Sequence, residues 1–153
     1  MIRRAENRDI PGIMDLLLQV LTVHHNIRPD YFKPNCRKYT EDELKEIIAD
    51  NTRPIFVYDD NGVKGYCFCI LQEVKNDNVL YDMKTLYIDD LCVDENARGQ
   101  RVGKQLYDHT KDYAKQIGCD NLTLNVWEGN DSARAFYDRQ GLKPLKTTME
   151  VKL

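Results

Sequence analysis

The chain has no long apolar run. Nothing in its 153 residues approaches the roughly 18 consecutive apolar residues that a membrane span requires. The opening MIRRAENRDI also lacks the apolar stretch of a secretory signal. A cytoplasmic protein without membrane contact is the expectation. Basic excess is missing as well: 22 Lys and Arg stand against 25 Asp and Glu, a formal net charge of −3. Nucleic-acid binding is therefore not expected, and an anionic ligand must be held by a local group of charges and N–H donors. There is no CxxC pair, and His24, His25 and His109 do not fall at zinc-finger spacing from a cysteine pair, so no metal is expected. Five cysteines, an odd number, read as free and mostly buried thiols. No repeat, low-complexity tract or linker-like shift in composition divides the sequence. Its length suits one domain, residues 1–153.

The apolar pattern predicts a short strand over residues 1–6. A helix capped at Asn7 or Asp9 follows, carrying Ile10, Ile13, Leu17, Val20 and Leu21 at helical spacing. After a Pro-bearing stretch, Thr40 with Glu43 three residues on forms a capping box for a second helix, which ends near Asn51. β-rich runs at 55–58 and 63–71 flank Asp59-Asp60-Asn61-Gly62, a hairpin signal, and a third run at 85–93 completes a meander. A long helix is expected over 99–117, an alternating strand over 121–127, a short helix from Asn130 to Gly141, and a final edge strand over 145–153. Strands that first form a meander and then alternate with helices predict an α/β (α+β) mixed sheet with helices on both faces.

Between the third run and the long helix lies Arg98-Gly99-Gln100-Arg101-Val102-Gly103-Lys104. A strand, a glycine loop and a helix N-terminus together form an anion site, because the first helical N–H groups are unpaired and the dipole is positive there. Walker A spacing fails, with three residues between the glycines and Gln105 after Lys104, and the dinucleotide pattern GxGxxG fails too. Taken alone, the loop is equally a turn with a solvated basic face.

The segment DLCVDENARGQRVGKQL followed by LNVWEGNDSARAFYDRQGLKP resembles the GNAT superfamily of acyl-CoA-dependent N-acetyltransferases over nearly the whole chain. The resemblance implies a mostly antiparallel central sheet of six to seven strands flanked by about four helices. It implies acetyl-CoA as the acyl-donor cosubstrate. Arg98 to Gly103 match the family's pyrophosphate loop, Q/R-x-x-G-x-G/A, with Arg101 where the family usually has its first Gly, a position open to Arg if it adopts helical backbone angles. Residues Arg98, Gly99, Gln100, Arg101, Val102, Gly103 and Lys104 would hold the pyrophosphate. In N-x-x-A-R-x-F-Y-x-x-x-G, Asn130 and Ala133 would meet the pantetheine arm and Tyr137 the thioester sulfur, whereas Phe136 reads as core. The backbone of Leu91, Cys92 and Val93 would meet the acyl carbonyl, on a strand that splays from its neighbour.

Acetyl transfer to an amine needs a base, donors for the developing oxyanion and a proton for the thiolate. Asp89, which aligns with the base of polyamine-acetylating members of the family, or else Asp90 would be the base. Adjacent strand residues face opposite ways, so one of the two at most should face the acceptor. Tyr137 would be the acid. A covalent route through Cys92 is disfavoured, since no His lies nearby in sequence to activate it. His25, Arg28, Tyr31 and Phe32, between the first two helices, would contact the acceptor. The expected acceptor is a small cationic amine, polyamine-like or aminoglycoside-like. The alternatives are a protein N-terminus or lysine and, outside enzymes, an acyl-CoA-binding sensor. Members of the family often form homodimers, and a final strand could pair across such an interface.

Overall fold

Three local signals in the sequence become the frame of the fold. Thr40 accepts a hydrogen bond from the Glu43 N–H and the Glu43 carboxylate accepts one from the Thr40 N–H, opening helix α2 (Glu41–Ala49). Asn61 and Gly62, both at positive φ, turn strand β2 (Ile55–Asp59) into β3 (Val63–Val74). Asn130 caps helix α4 (Asp131–Arg139) through its side chain. The computed structural model describes residues 1–153. Its remaining elements are β1 (Ile2–Arg4), α1 (Ile10–Ile27), β4 (Met83–Val93), α3 (Val102–Gln116) and β5 (Asn121–Leu124).

The strands lie in the order β1-β2-β3-β4-β5, antiparallel throughout except for the parallel pair β4-β5. Arg3 braces the first edge, holding Asp9 and Asp59 at 2.8 Å each. Alternation along β3 divides the core. Tyr66 and Phe68 join Ile13, Leu16, Leu17 and Leu44 under α1 and α2, whereas Cys67 and Cys69 join Leu86, Ile88, Val102 and Leu106 under α3. Gly65 lets α3 approach this closely, because a Cβ there would stand 2.9 Å from the Leu106 side chain and 3.0 Å from the Cys92 carbonyl. As expected, all five cysteines are free. No helix is long and apolar enough to cross a membrane.

Three expectations are corrected. The sheet has five strands, not six to seven, because residues 145–153 form no strand: no strand within the chain pairs with them, and Glu150 and Lys152 instead bond Arg28 and Asp30 at 3.0 and 2.7 Å. β5 stops at Leu124, short of 127, where a turn closed by the Asn130 N–H on the Trp127 carbonyl (3.0 Å), with Gly129 at φ 95°, leads the chain away. Helix α3 begins at Val102 because Gly99 (φ 84°) and Arg101 (φ 59°) are incompatible with a right-handed helix.

Candidate active site

The centre of the site is set by one extra residue. β4 pairs with β3 from Met83 to Ile88 and again from Asp90 to Val93, with Cys69 opposite Ile88 and Phe68 opposite Asp90. Asp89 is therefore bulged out of the ladder. Before it, Leu86 and Ile88 face α3; after it, Leu91 and Val93 pack on that side and Cys92 turns towards α1. The shift in parity brings both carboxylates to the α1 and α2 face. Asp89 meets Tyr39 and Asp90 meets Tyr66, two rings that both pack against Phe68. The expectation that the two side chains point to opposite faces is thus overturned.

Sharing a face, the two acids differ in their partners. Asp89 is saturated: Lys38 Nζ stands 2.9 Å from Oδ1, and the Tyr39 hydroxyl donates to Oδ2 at 2.6 Å while accepting from Arg53 at 3.1 Å. Among side chains, only the Tyr66 hydroxyl donates to Asp90, at 2.7 Å. Burial pushes the Asp90 carboxyl up to about 6, against the pull of that hydrogen bond and of the Lys38 charge. Asp90 is the carboxylate whose basicity suits proton removal near neutral pH. Lys38, Tyr39 and Tyr66 escaped the reading of the sequence. Tyr66 alone had a signal there, its parity with Phe68 on β3.

β4 runs five residues past its last pair with β5, Ile88 to Leu124. The Asp94 N–H donates to the Lys64 carbonyl at 2.8 Å, so in antiparallel alternation Cys92 also bonds towards β3, and Leu91 and Val93 present N–H and C=O to the open side. Cys92 thus differs in orientation from its two neighbours. Its backbone is spent in the ladder, and its thiol points under α1 to the Leu16 carbonyl at 3.6 Å.

At the head of α3 the N–H groups of Val102, Gly103 and Lys104 have no partner in the chain, and no acidic residue lies in the first turn. Arg98 and Arg101 form no ion pair, whereas Lys104 is engaged by Asp108 at 2.7 Å. Gly103 sits where this turn meets the Val93 side chain and the Phe136 ring. Phe136 packs edge-on against Tyr107 and Tyr137, the core role expected of it. The Tyr137 hydroxyl makes no hydrogen bond, and burial, with the charge of Asp90 as a smaller contribution, pushes its pKa above the ordinary tyrosine value. Asn130 Oδ1 accepts from the Ala133 N–H at 3.4 Å and so is occupied by the cap, leaving its amide NH₂ available.

Residues 20–142 match the acetyltransferase (GNAT) family. The chain belongs to that family. Along its whole length it is similar to a mutant of the BH1408 protein from Bacillus halodurans, with 30% identity, a TM-score of 0.95 and 99% of that chain covered. It is 33% identical over 111 residues to the 5-NmdU N-acetyltransferase of Pseudomonas phage PaMx11, covering 68% of this chain and 71% of the relative. An uncharacterized N-acetyltransferase of Lactobacillus delbrueckii subsp. lactis is 29% identical over 103 residues, and the match spans 58% of that relative's length.

The domain is thus an acetyl-CoA-dependent acetyltransferase, and its residues fit the donor. The three free N–H groups of α3 with Arg98 and Arg101 suit a pyrophosphate, the open edge at Leu91 and Val93 suits an extended polar arm, and the Tyr137 hydroxyl has no partner in the chain. Arg101 was expected in helical backbone space. It stands instead in the left-handed region, at φ 59° and ψ 25°, as the N-cap residue, a conformation that costs a non-glycine residue roughly 1–2 kcal/mol. Arg101→Gly in this GNAT protein is expected to raise the thermal unfolding midpoint while weakening acetyl-CoA binding. The dependence of Kd on salt, followed by calorimetry, should become shallower as the guanidinium is lost.

On the acceptor side the four residues expected to bind divide into two groups. His25 Nδ1 lies 2.7 Å from the Phe32 carbonyl, and Arg28 is held by Asp30 and Glu150 at 2.9 and 3.0 Å. These two shape the loop. Tyr31 packs tilted and Phe32 edge-on against Trp127, with ring centroids 4.9 and 5.1 Å away, and His24 lies tilted beside Phe32 at 5.2 Å. Trp127, the only tryptophan, completes an aromatic wall that the sequence reading missed.

Burial pushes the Cys92 thiol up to about 12, so it is no nucleophile at neutral pH. Cys92→Ala is expected to keep wild-type turnover in a thiol-release assay; an enzyme that folds normally but is dead would restore the covalent route.

Proposed function

We infer that this acetyltransferase moves the acetyl group of acetyl-CoA to a primary amine on a small cationic molecule by direct attack, with Asp90 as base and Tyr137 as acid. The observation that carries the reading is the Asp90 carboxyl, raised to about 6 by burial, on the β4 segment whose open edge begins where β5 ends. Bound acetyl-CoA supplies the activated thioester carbon. Asp90, mostly ionised at neutral pH, takes the proton of the attacking ammonium directly or through water. The N–H groups of Leu91 and Val93 face the open side as donors for the developing negative charge. The Tyr137 hydroxyl gives its proton to the leaving sulfur as the carbon–sulfur bond breaks.

Lys38 narrows the acceptor. It already neutralises Asp89 at 2.9 Å, so the site offers one free carboxylate rather than two. The wall of Tyr31, Phe32 and Trp127 adds aromatic faces that attract a cation or an apolar body. That combination favours a single ammonium on a partly apolar molecule over a linear polyamine. The test begins with calorimetric titration by acetyl-CoA beside ATP, followed by thiol release across an amine panel. Micromolar binding of acetyl-CoA, none of ATP, and a larger kcat/KM for phenethylamine than for spermidine are expected. No thiol release with any amine despite tight acetyl-CoA binding would overturn the reading in favour of a sensor.

A further inference from the structure

Tyr66 carries the one hydroxyl in the buried run of β3 and is 0% exposed. A hydroxyl so placed is costly unless it is bonded. Its ring is fixed edge-on against Phe68, with centroids 4.8 Å apart. Across the ladder Phe68 pairs with Asp90 and Tyr66 with Cys92, so Tyr66 and Asp90 are diagonal neighbours on one face of the sheet. The 2.7 Å bond from the Tyr66 hydroxyl to Asp90 Oδ2 closes that diagonal.

The second oxygen of Asp90 is left open. Every fully buried side-chain oxygen and nitrogen of the chain has a hydrogen-bond partner. Asp90 Oδ1 has none, so it reaches the surface, on the part of β4 that runs past β5. Asp89 offers no such oxygen, since Lys38 holds its Oδ1 and Tyr39 its Oδ2. The titratable groups near Asp90 are Lys38 from the loop before α2, Tyr66 from β3, Tyr87, Asp89 and Cys92 from β4, and Tyr137 from α4. Of these Tyr66 alone is bonded to it, and the Leu91 N–H draws on the carboxylate only weakly.

We propose that Tyr66 is a positioning residue for acetyl transfer: its hydroxyl pins Oδ2 of Asp90 and so turns Oδ1 outward to take the proton of the acceptor amine. The bond does two things at once. It fixes the carboxylate in one rotamer on a rigid strand, and it stabilises the ionised form that can accept a proton. Phe68 completes the mount by holding the Tyr66 ring from the side.

This role rests on Asp90 being the base, and the experiment separates the two. Wild type, Tyr66→Phe, Tyr39→Phe and Asp90→Asn are compared by thiol release with phenethylamine between pH 5 and pH 9, with circular dichroism to verify folding. The Asp90 carboxyl is titrated in parallel by carbon-13 NMR, which needs no turnover. Tyr66→Phe keeps the ring against Phe68 and loses the hydroxyl alone. Its acid limb and its carboxyl resonance should both move up by about one to two pH units, the worth of a hydrogen bond to a charged group. Its kcat should stay about tenfold low at pH 9, where ionisation no longer limits it, with the KM for acetyl-CoA unchanged. Tyr39→Phe, which strips a partner from Asp89 instead, should keep the wild-type limb. A Tyr66→Phe enzyme with the wild-type carboxyl titration, or with wild-type kcat at pH 9, would overturn the positioning role alone. Wild-type kcat in Asp90→Asn would overturn the base and the positioning role with it.

Discussion

Asp90→Asn is expected to lower kcat by about 10²- to 10⁴-fold, the usual yield of a positioned general base. It should also erase the acid limb of the pH profile. In wild type, kcat/KM should rise through an inflection near the carboxyl value of about 6 and lie about tenfold below its plateau one unit lower. Asp89→Asn provides the contrast. Its carboxylate serves Lys38 and Tyr39, so the variant should lose less activity and keep the limb. Stability should move the other way. A carboxyl raised from about 4 to about 6 costs the folded state when ionised. That cost is absent below the lower value, where the acid is protonated in both states, grows between the two, and is complete above the higher. Asp90→Asn should therefore melt above wild type at pH 8, with the gap closing at pH 4. Differential scanning calorimetry at the two pH values checks it. A variant that is inactive but no more stable at pH 8 would mean that the Tyr66 hydrogen bond outweighs the buried charge.

Tyr137→Phe is the second large effect. The hydroxyl makes no hydrogen bond within the chain, so the fold loses no bonded partner, and the ring keeps its contacts with Phe136 and Tyr107. Turnover should fall by about 10²-fold, while acetyl-CoA affinity and melting temperature stay near wild type. Burial holds the phenol above its ordinary value near 10, so the wild-type profile should show no falling limb below about pH 10 from this group. Undiminished turnover in the Phe variant would remove Tyr137 from the reaction.

Much of the architecture was legible because it is written in local chemistry. The Thr40 and Glu43 box, the Asn61-Gly62 turn and the Asn130 cap all formed as their residue types require. The family's two motifs likewise led to the α3 head and to Tyr137. What escaped was determined by long-range pairing. The Asp89 bulge has no residue signature, because Asp89 and Asp90 are alike in sequence and only the ladder with β3 tells them apart. Lys38 and Tyr39 reach Asp89 across about fifty positions of chain, a separation no periodicity reports. The strand expected at 145–153 had the right alternation but no partner in its own chain. Arg101 took left-handed angles because the chain must turn sharply between the loop and α3, whatever residue stands there.

The odd residue in β4 makes that strand a counting device. Side chains before and after Asp89 are out of phase by one, so the same strand feeds Leu86 and Ile88 to one core and Cys92 to the other. Deleting Asp89 would restore simple alternation and leave residues 90–93 on their present faces, whereas forcing Asp89 into the ladder opposite Phe68 would rotate them, sending Leu91 and Val93 against Tyr66 and Cys92 against Leu106. A one-residue slip of the pairing past this point is a rearrangement of both cores, harsher than substitution of any single residue within them. Anyone grafting this strand into a relative, or exchanging a relative's strand into it, must carry the surplus residue across with its place in the count, or the two acids part company and face opposite sides.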